Sequence, residues 1–373
     1  MRPVALLLRA GAVVVAAGFL FSLLIDGAPV AEQIEAVPKA AAVQKPVAVK
    51  RAKPAAPTGI VTIAAVGDIV MGSTPNLPAD GGRSFFDDVE ADLAADIVLG
   101  NLEGTLSTGG SSKCGAGSSN CFSFQTPPSY AALLRKAGFT VMNLANNHAF
   151  DYGPGGLAQT LAALSKQRLA HTGRPGQIAY QQVGEIRVGL VGFAPYPWAQ
   201  RLTSIPAARR LVGKASANAD VVIVTMHAGA EGVDHTHVRP GTETYLGENR
   251  GNVVAFSHAV VDAGADVVIG HGPHVLRGME WYRGRLIAYS LGNFAGYKVF
   301  SMGGPLSVSG ILRLTLRGDG GFDGGTLVPT RLVGAGVPAL DPAERAHTIV
   351  RSLSKADFGA RAVRVSPTGD LRR

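Results

Sequence analysis

The run Asp266-Val-Val-Ile-Gly-His-Gly-Pro-His-Val275 begins as an apolar segment, β-branched at Val267, Val268 and Ile269, and stops at Gly270. That pattern reads as a buried strand emptying into a loop. The loop carries His271 and His274, with Gly272 and Pro273 between them to turn the backbone so that both rings converge. A second strand, Leu286–Tyr289, follows and leads through Ser290-Leu291-Gly292 to Asn293. Two imidazoles at the end of a strand are placed as metal ligands on a rigid support are.

Four more polar groups stand in the same position. Ile60–Val66 ends in Gly67-Asp68, and Ile97–Leu99 in Gly100-Asn101-Leu102-Glu103. Thr140–Leu144 ends in Ala145-Asn146-Asn147-His148, and Val221–Thr225 in Met226-His227. Between the strands, Ser129–Ala137, Pro154–Lys166 and Asn252–Ala263 read as helices, and Ile186–Phe193 as a further strand. The alternation predicts an α/β layered sheet or sandwich, in which ligand sites form at the carboxyl ends of strands. Ser309–Leu316 and Gly325–Leu332 read as closing antiparallel strands. Pro342–Ala356 reads as a last helix with Asp341 as its cap.

Asp68, Glu103, Asn147, His227, His271 and His274 offer carboxylates, an amide oxygen and imidazoles, a mixed oxygen and nitrogen set suited to divalent transition ions. A bridging Glu103 would serve two metals about 3.5–4 Å apart. His148, beside a ligand but free itself, is placed to protonate a leaving oxygen. Asp151 either orients His148 or caps the following helix. Glu231 and His237, in the loop after His227, and Asn293 are candidates to complete the site or touch substrate. Arg277, Tyr282 and Arg285 read equally as an anion-binding groove or a solvated hairpin.

The chain has 373 residues, 46% hydrophobic and 17% charged, enough for one large domain or two ordinary ones. Its 48 glycines suit many tight loops rather than a helical bundle. The net charge of +8 is uneven: Lys39, Lys45, Lys50, Arg51 and Lys53 lie between Glu35 and Gly59 with no acidic residue among them. That argues against a nucleic-acid-binding face and for a basic tether near a membrane or an anionic polymer.

Ala10–Ile25 carries no charge, and with Val4–Leu8 the apolar stretch is long enough to cross a bilayer if Arg9 snorkels to the headgroups. Arginines before it and acidic residues after it predict a cytoplasmic N-terminus. A cleaved signal peptide is the alternative, but no small-x-small site precedes Asp26. The expected organisation is an anchor over 1–26, an Ala/Pro/Lys-rich spacer over 27–58, a catalytic-type domain over 59–335 and an extension over 336–373. Export of the domain favours a Cys114–Cys121 disulfide over metal binding by these cysteines.

Taken in order, Gly67-Asp68-Ile69-Val70-Met71, Asn101-Leu102-Glu103-Gly104, Asn146-Asn147-His148-Ala149-Phe150-Asp151, His227-Ala228-Gly229-Ala230-Glu231, Gly270-His271-Gly272-Pro273-His274 and Tyr289-Ser290-Leu291-Gly292-Asn293-Phe294 resemble the CapA-type family. These are poly-γ-glutamate capsule biosynthesis proteins within the calcineurin-like metallophosphoesterase superfamily. The resemblance implies a four-layer α/β/β/α sandwich held outside the cytoplasm. It implies metal ligation by Asp68, Glu103, Asn147, His227, His271 and His274, with His148 as general acid. The sequence departs from the superfamily at Val70, which stands where a histidine is usual, and at Ala228, which replaces an aromatic residue. The expected cofactor is therefore one or two divalent ions, Mn, Zn or Fe. The expected partners are an anionic surface polymer or its precursor and a membrane synthase or export complex. Three functions follow from these features: a metal-dependent hydrolase or transferase of polymer synthesis, a non-catalytic assembly or export factor on the same fold, and a secreted phosphodiesterase or nucleotidase.

Overall fold

The computed structural model describes residues 56–115 and 121–373. The expected anchor over 1–26 and all of the spacer but residues 56–58 lie outside the described residues. No helix among the described residues is long and apolar enough to cross a membrane.

The first half of the domain is a run of parallel strands, β1 (Ile60–Val70), β2 (Ile97–Leu102), β3 (Val141–Asn143) and β4 (Ala170–Thr172), with helices α1 (Tyr130–Lys136) and α2 (Gly153–Lys166) between the later ones. The chain then builds a second sheet. It uses β5 (Ala179–Val183), β6 (Ile186–Phe193), β7 (Val221–His227), β8 (Val267–His271), β9 (Met279–Tyr282) and β10 (Arg285–Ala288) in the order β9-β10-β8-β7-β6-β5. Helices α3 (Ile205–Ser216) and α4 (Val253–Asp262) make its crossovers. β11 (Asn293–Gly296), β12 (Val308–Arg317), β13 (Phe322–Val333) and β14 (Val337–Leu340) return to the first sheet, giving the order β14-β13-β12-β1-β2-β3-β4 with β11 also paired to β1.

Alternation along the strands sets the layers. Val61, Ile63 and Ala65 of β1 pack in one apolar cluster with Val221 and Ile223 of β7 and with Val267 and Ile269 of β8, so the two sheets meet face to face. Ala64 and Val66, on the other side of β1, pack with Leu134 of α1 and Leu164 of α2. Val222 and Val224 pack with Val212 of α3 and Val260 of α4. The layers thus run helix, sheet, sheet, helix. Strands covered on both faces have no polar side, which is why they read as continuous apolar runs.

β1 changes partner half-way. Ile60–Ala65 pairs antiparallel with β12, whereas Asp68–Val70 pairs parallel with β11, placing Asp68 opposite Asn293. The switch requires Gly67, where a Cβ would sit 2.0 Å from the Gly292 carbonyl oxygen.

Residues 336–373 do not form a separate extension. β14 extends the first sheet, and α5 (Arg345–Phe358) sets Ala346 and Val350 into the inter-sheet cluster together with Val363, Val365 and Leu371. A short strand containing Pro338 carries too few residues for a periodic signal, which hid this continuity. Asp341 does not occupy the cap of the final helix: the helix starts at Arg345, with Glu344 in the capping position, and Asp341 accepts from Ala343 N and Arg345 N at 3.3 Å each in the turn before it.

Candidate metal centre

Strand ends from both sheets converge on one buried polar cluster. Asp68 near the end of β1, Glu103 just past β2, His227 at the end of β7 and His271 at the end of β8 are each 0–1% exposed. One ligand atom from each of Asp68, Glu103 and His227 lies within 4.8 Å of the others.

An asparagine relay ties the strand ends together. Asn101 donates from Nδ2 to Asp68 Oδ1 at 2.8 Å. Its Oδ1 accepts from Asn143 at 2.8 Å and Asn146 at 3.1 Å, which fixes the orientation of its amide. Asn146 Oδ1 in turn accepts from the His148 backbone N–H at 3.0 Å. Asn101 was not among the expected site residues; its sequence signal is a polar side chain inside the apolar strand β2, two residues before Glu103.

Burial of ionisable groups at close quarters dominates the electrostatics of the cluster. Burial and the neighbouring Asp68 push Glu103 well above the usual carboxylate value. Burial holds His227 well below the usual imidazole value, helped by Arg250. Burial also brings His271 down to about 4, against the pull of Asp68, so it is neutral at pH 7. For His274 burial acts downward too, but Glu103, Asp68 and Glu231 outweigh it and raise the ring to about 10. Burial alone would raise Asp68, yet hydrogen bonding and charge from His274 keep it below the usual value.

The donor set fits a divalent ion. Both Glu103 carboxylate oxygens, Asn147 Oδ1 and both His271 ring nitrogens are buried and make no hydrogen bond among the described residues. Each unpaired buried polar group costs roughly 1–3 kcal/mol, and a cation bound among them removes that penalty at several atoms at once. Asp68 is better provided for, by Asn101, by His274 Nδ1 at 3.1 Å and by the Gly272 N–H at 3.4 Å. Val70, at the position where the superfamily has a histidine, is buried and apolar.

Asn293 pins His274. Its Oδ1 meets His274 Nδ1 at 2.9 Å and its Nδ2 donates to the His274 carbonyl at 3.1 Å, offsetting the left-handed φ of 60° at that residue. Glu231 stands at the edge, with Oε2 3.8 Å from His274 Nε2 and Oε1 2.9 Å from Arg250. His237 is elsewhere: its Nδ1 bonds Asp357 of α5 at 2.6 Å, because the loop after His227 runs out to that helix. The anion groove imagined around Arg277, Tyr282 and Arg285 does not form. Arg277 is buried and braces Glu243 and the Ala230 carbonyl, while Arg285 pairs with Asp266. Arg250, 1% exposed, was not foreseen, since it sits in a polar hairpin with no pattern to mark it; its Nη2 lies 3.5 Å from His227 Nε2.

His148 Nδ1 lies 2.9 Å from Asp151 Oδ2, so Asp151 orients the ring rather than capping α2. That leaves Nε2 for the cavity that His148 lines. Burial places the ring below the usual imidazole value despite Asp151. The cavity, of about 340 Å³, has His148, Glu231 and His274 among polar linings and Phe122, Phe124 and Phe300 among apolar ones. Cys114 and Cys121 are joined by a disulfide with their Cα atoms 5.5 Å apart, and Phe122, the residue after Cys121, lines this cavity.

The family model described as "Bacterial capsule synthesis protein PGA_cap" matches residues 62–298. The PGA biosynthesis protein CapA of Bacillus subtilis is 32% identical over 255 residues, covering 63% of this chain and 63% of that protein. The capsule biosynthesis protein CapA of Bacillus anthracis is 35% identical over 172 residues, covering 43% of this chain and 41% of that one. The chain thus spans less than two thirds of the length of these relatives. A putative 5'-nucleotidase from Staphylococcus aureus is a structural match with a TM-score of 0.44 and 14% identity, over 78% of this chain and 58% of that one.

Proposed function

Because this chain belongs to the bacterial capsule synthesis family, we propose that it is a metal-dependent hydrolase or transferase of metallophosphoesterase type. It acts outside the cytoplasm, anchored by its N-terminal apolar stretch, on a capsule-like anionic polymer or its phosphate- or amide-linked precursor. The observation that carries this reading is that ligand atoms of Asp68, Glu103 and His227 lie within 4.8 Å of one another, next to His274, which lines the same cavity as His148. The names of the relatives, both in capsule or PGA biosynthesis, support the choice of polymer.

Glu103, Asn147, His227 and His271, with Asp68 and His274 beside them, would hold the cation. Bound there, Mn, Zn or Fe supplies Lewis acidity toward an ester or amide oxygen. The rest falls to the chain. With Nδ1 held on Asp151, His148 would deliver a proton from Nε2, the nitrogen left for the cavity. Phe124, 4.4 Å from the His148 ring centroid, shields that proton from water on one side.

One observation favours a second reading, a polymer assembly or export factor with little turnover: buried Val70 removes an imidazole from the Asp68 side. A screen of ester and amide substrates with the metal-loaded chain separates the two. Turnover that falls by roughly 10²–10⁴ in His148→Ala supports the hydrolase. Bound metal without turnover, or turnover unchanged in that variant, favours the assembly factor.

A further inference from the structure

We propose that Lys113, set in place by the Cys114–Cys121 disulfide, is the positioning residue for the His148–Asp151 pair. The inference rests on the reading of His148 as proton donor.

Asp151 is fully buried, with Oδ2 hydrogen-bonded and Oδ1 held in an ion pair. Oδ2 meets His148 Nδ1 at 2.9 Å and accepts from the Phe124 backbone N–H at 2.7 Å. Oδ1 meets Lys113 Nζ at 2.7 Å. The Lys113 backbone N–H donates to the Asp151 carbonyl at 2.7 Å, so side chain and main chain of this lysine grip the same residue. The same ammonium donates to the Asn147 carbonyl at 3.0 Å. Lys113 therefore spans the two ends of the turn that carries the Asn147 amide and the His148 ring.

A solvated surface lysine makes no such set of contacts. With its side chain 32% exposed, Lys113 gives its charge to two acceptors of one turn instead. The ion pair holds Oδ1 by charge, while the charge-assisted hydrogen bond to the Asn147 carbonyl is roughly twice as strong as a neutral one. Fixing Oδ1 fixes the plane of the carboxylate, and with it the direction from which Oδ2 holds the imidazole.

The disulfide explains how a Gly/Ser-rich loop keeps the lysine there. Lys113 immediately precedes Cys114, and Phe124 follows Cys121 by three residues. Both flanks of the closed loop thus touch Asp151, one through Lys113 and one through the Phe124 N–H, while the Phe124 ring covers His148.

The test reads the His148 Nδ1–H directly, as a downfield imidazole proton resonance of the purified full chain, identified by its disappearance in His148→Gln. The resonance should move upfield or broaden away in Lys113→Met and return in Lys113→Arg. The Cys114→Ala/Cys121→Ala double variant should weaken it. In parallel, kcat on an ester substrate should fall about tenfold in Lys113→Met with KM little changed, a part of the roughly 10²–10⁴ that a general acid contributes. Lys113→Arg should restore most of it. A resonance and kcat unchanged in Lys113→Met overturn the proposal, as does a loss that Lys113→Arg fails to repair. No turnover by the wild type, with the resonance responding as stated, counts against the hydrolase reading and leaves the positioning role standing.

Discussion

Asn101 holds Asp68 and His227 from one amide group: its Nδ2 lies 2.8 Å from Asp68 Oδ1 and 3.2 Å from His227 Nδ1. The first sheet thereby reaches across to the second at the point where the candidate ligands meet. Because Asn143 and Asn146 both donate to Asn101 Oδ1, the amide cannot turn without breaking two further hydrogen bonds.

Replacing Asn101 by Ala should therefore weaken metal binding without removing a ligand. Loss of a group that orients metal ligands typically costs 10–100-fold in affinity. Titration of the purified chain with Mn or Zn should show a shift of that size, and unchanged affinity would mean that the relay does not orient the ligands.

Arg250 offers a stability test. Its guanidinium is buried against Glu231 at 2.9 Å and the Gly229 carbonyl at 2.9 Å. Breaking a buried pair by removing one partner costs about 3–5 kcal/mol, and Glu231 at 18% side-chain exposure places this pair toward the lower end. Arg250→Met should lower the urea midpoint accordingly. Arg250→Met/Glu231→Gln should recover part of the loss, since no carboxylate is then left without its cation.

Acid sensitivity should arise partly at a distance from the metal centre. Burial would raise Glu280, but hydrogen bonds from His258 and Tyr289, both at 2.6 Å, with Arg361 at 3.4 Å, keep it below the ordinary glutamate value of 4.5. A carboxylate with a depressed folded-state value stabilises the fold above its unfolded value, and that contribution is lost as pH falls through the folded one. Stability should thus fall below about pH 4.5, and less steeply in Glu280→Gln. Denaturation midpoints measured between pH 6 and pH 3 would check the slope (about 1.4 kcal/mol per pH unit at most for one group).

The inter-sheet core should be intolerant of cavities. Ile223 is fully buried between the sheets, and truncation of such a residue to Ala costs about 2–5 kcal/mol. A cost below 1 kcal/mol in a chemical denaturation series would show that the sheets do not depend on that contact.

Those same sheets were the most legible part of the sequence. Val221–Thr225 and Asp266–Gly270 announce buried strands because both of their faces are covered, and the polar residue that ends each run marks where the strand meets the ligand cluster. The edge strands β5 and β9 gave no comparable signal, since a strand with one covered face or few residues resembles a loop. Lys113 and Arg250 escaped for another reason. Each acts across long sequence separations, Lys113 on Asp151 and Arg250 on Tyr196 and His227, and no periodicity encodes such a contact. His237 shows the converse, a histidine close in sequence to the ligands that the chain carries away to Asp357.

The central claim is that Glu103, Asn147, His227 and His271 form a divalent-cation site, and elemental analysis of the purified full chain tests it most directly. Wild type should carry about one to two equivalents of Mn, Zn or Fe, and Glu103→Gln/His271→Ala should carry almost none while remaining folded by circular dichroism. A wild-type chain that binds no metal even after reconstitution, or a folded double variant that retains it, would contradict the claim.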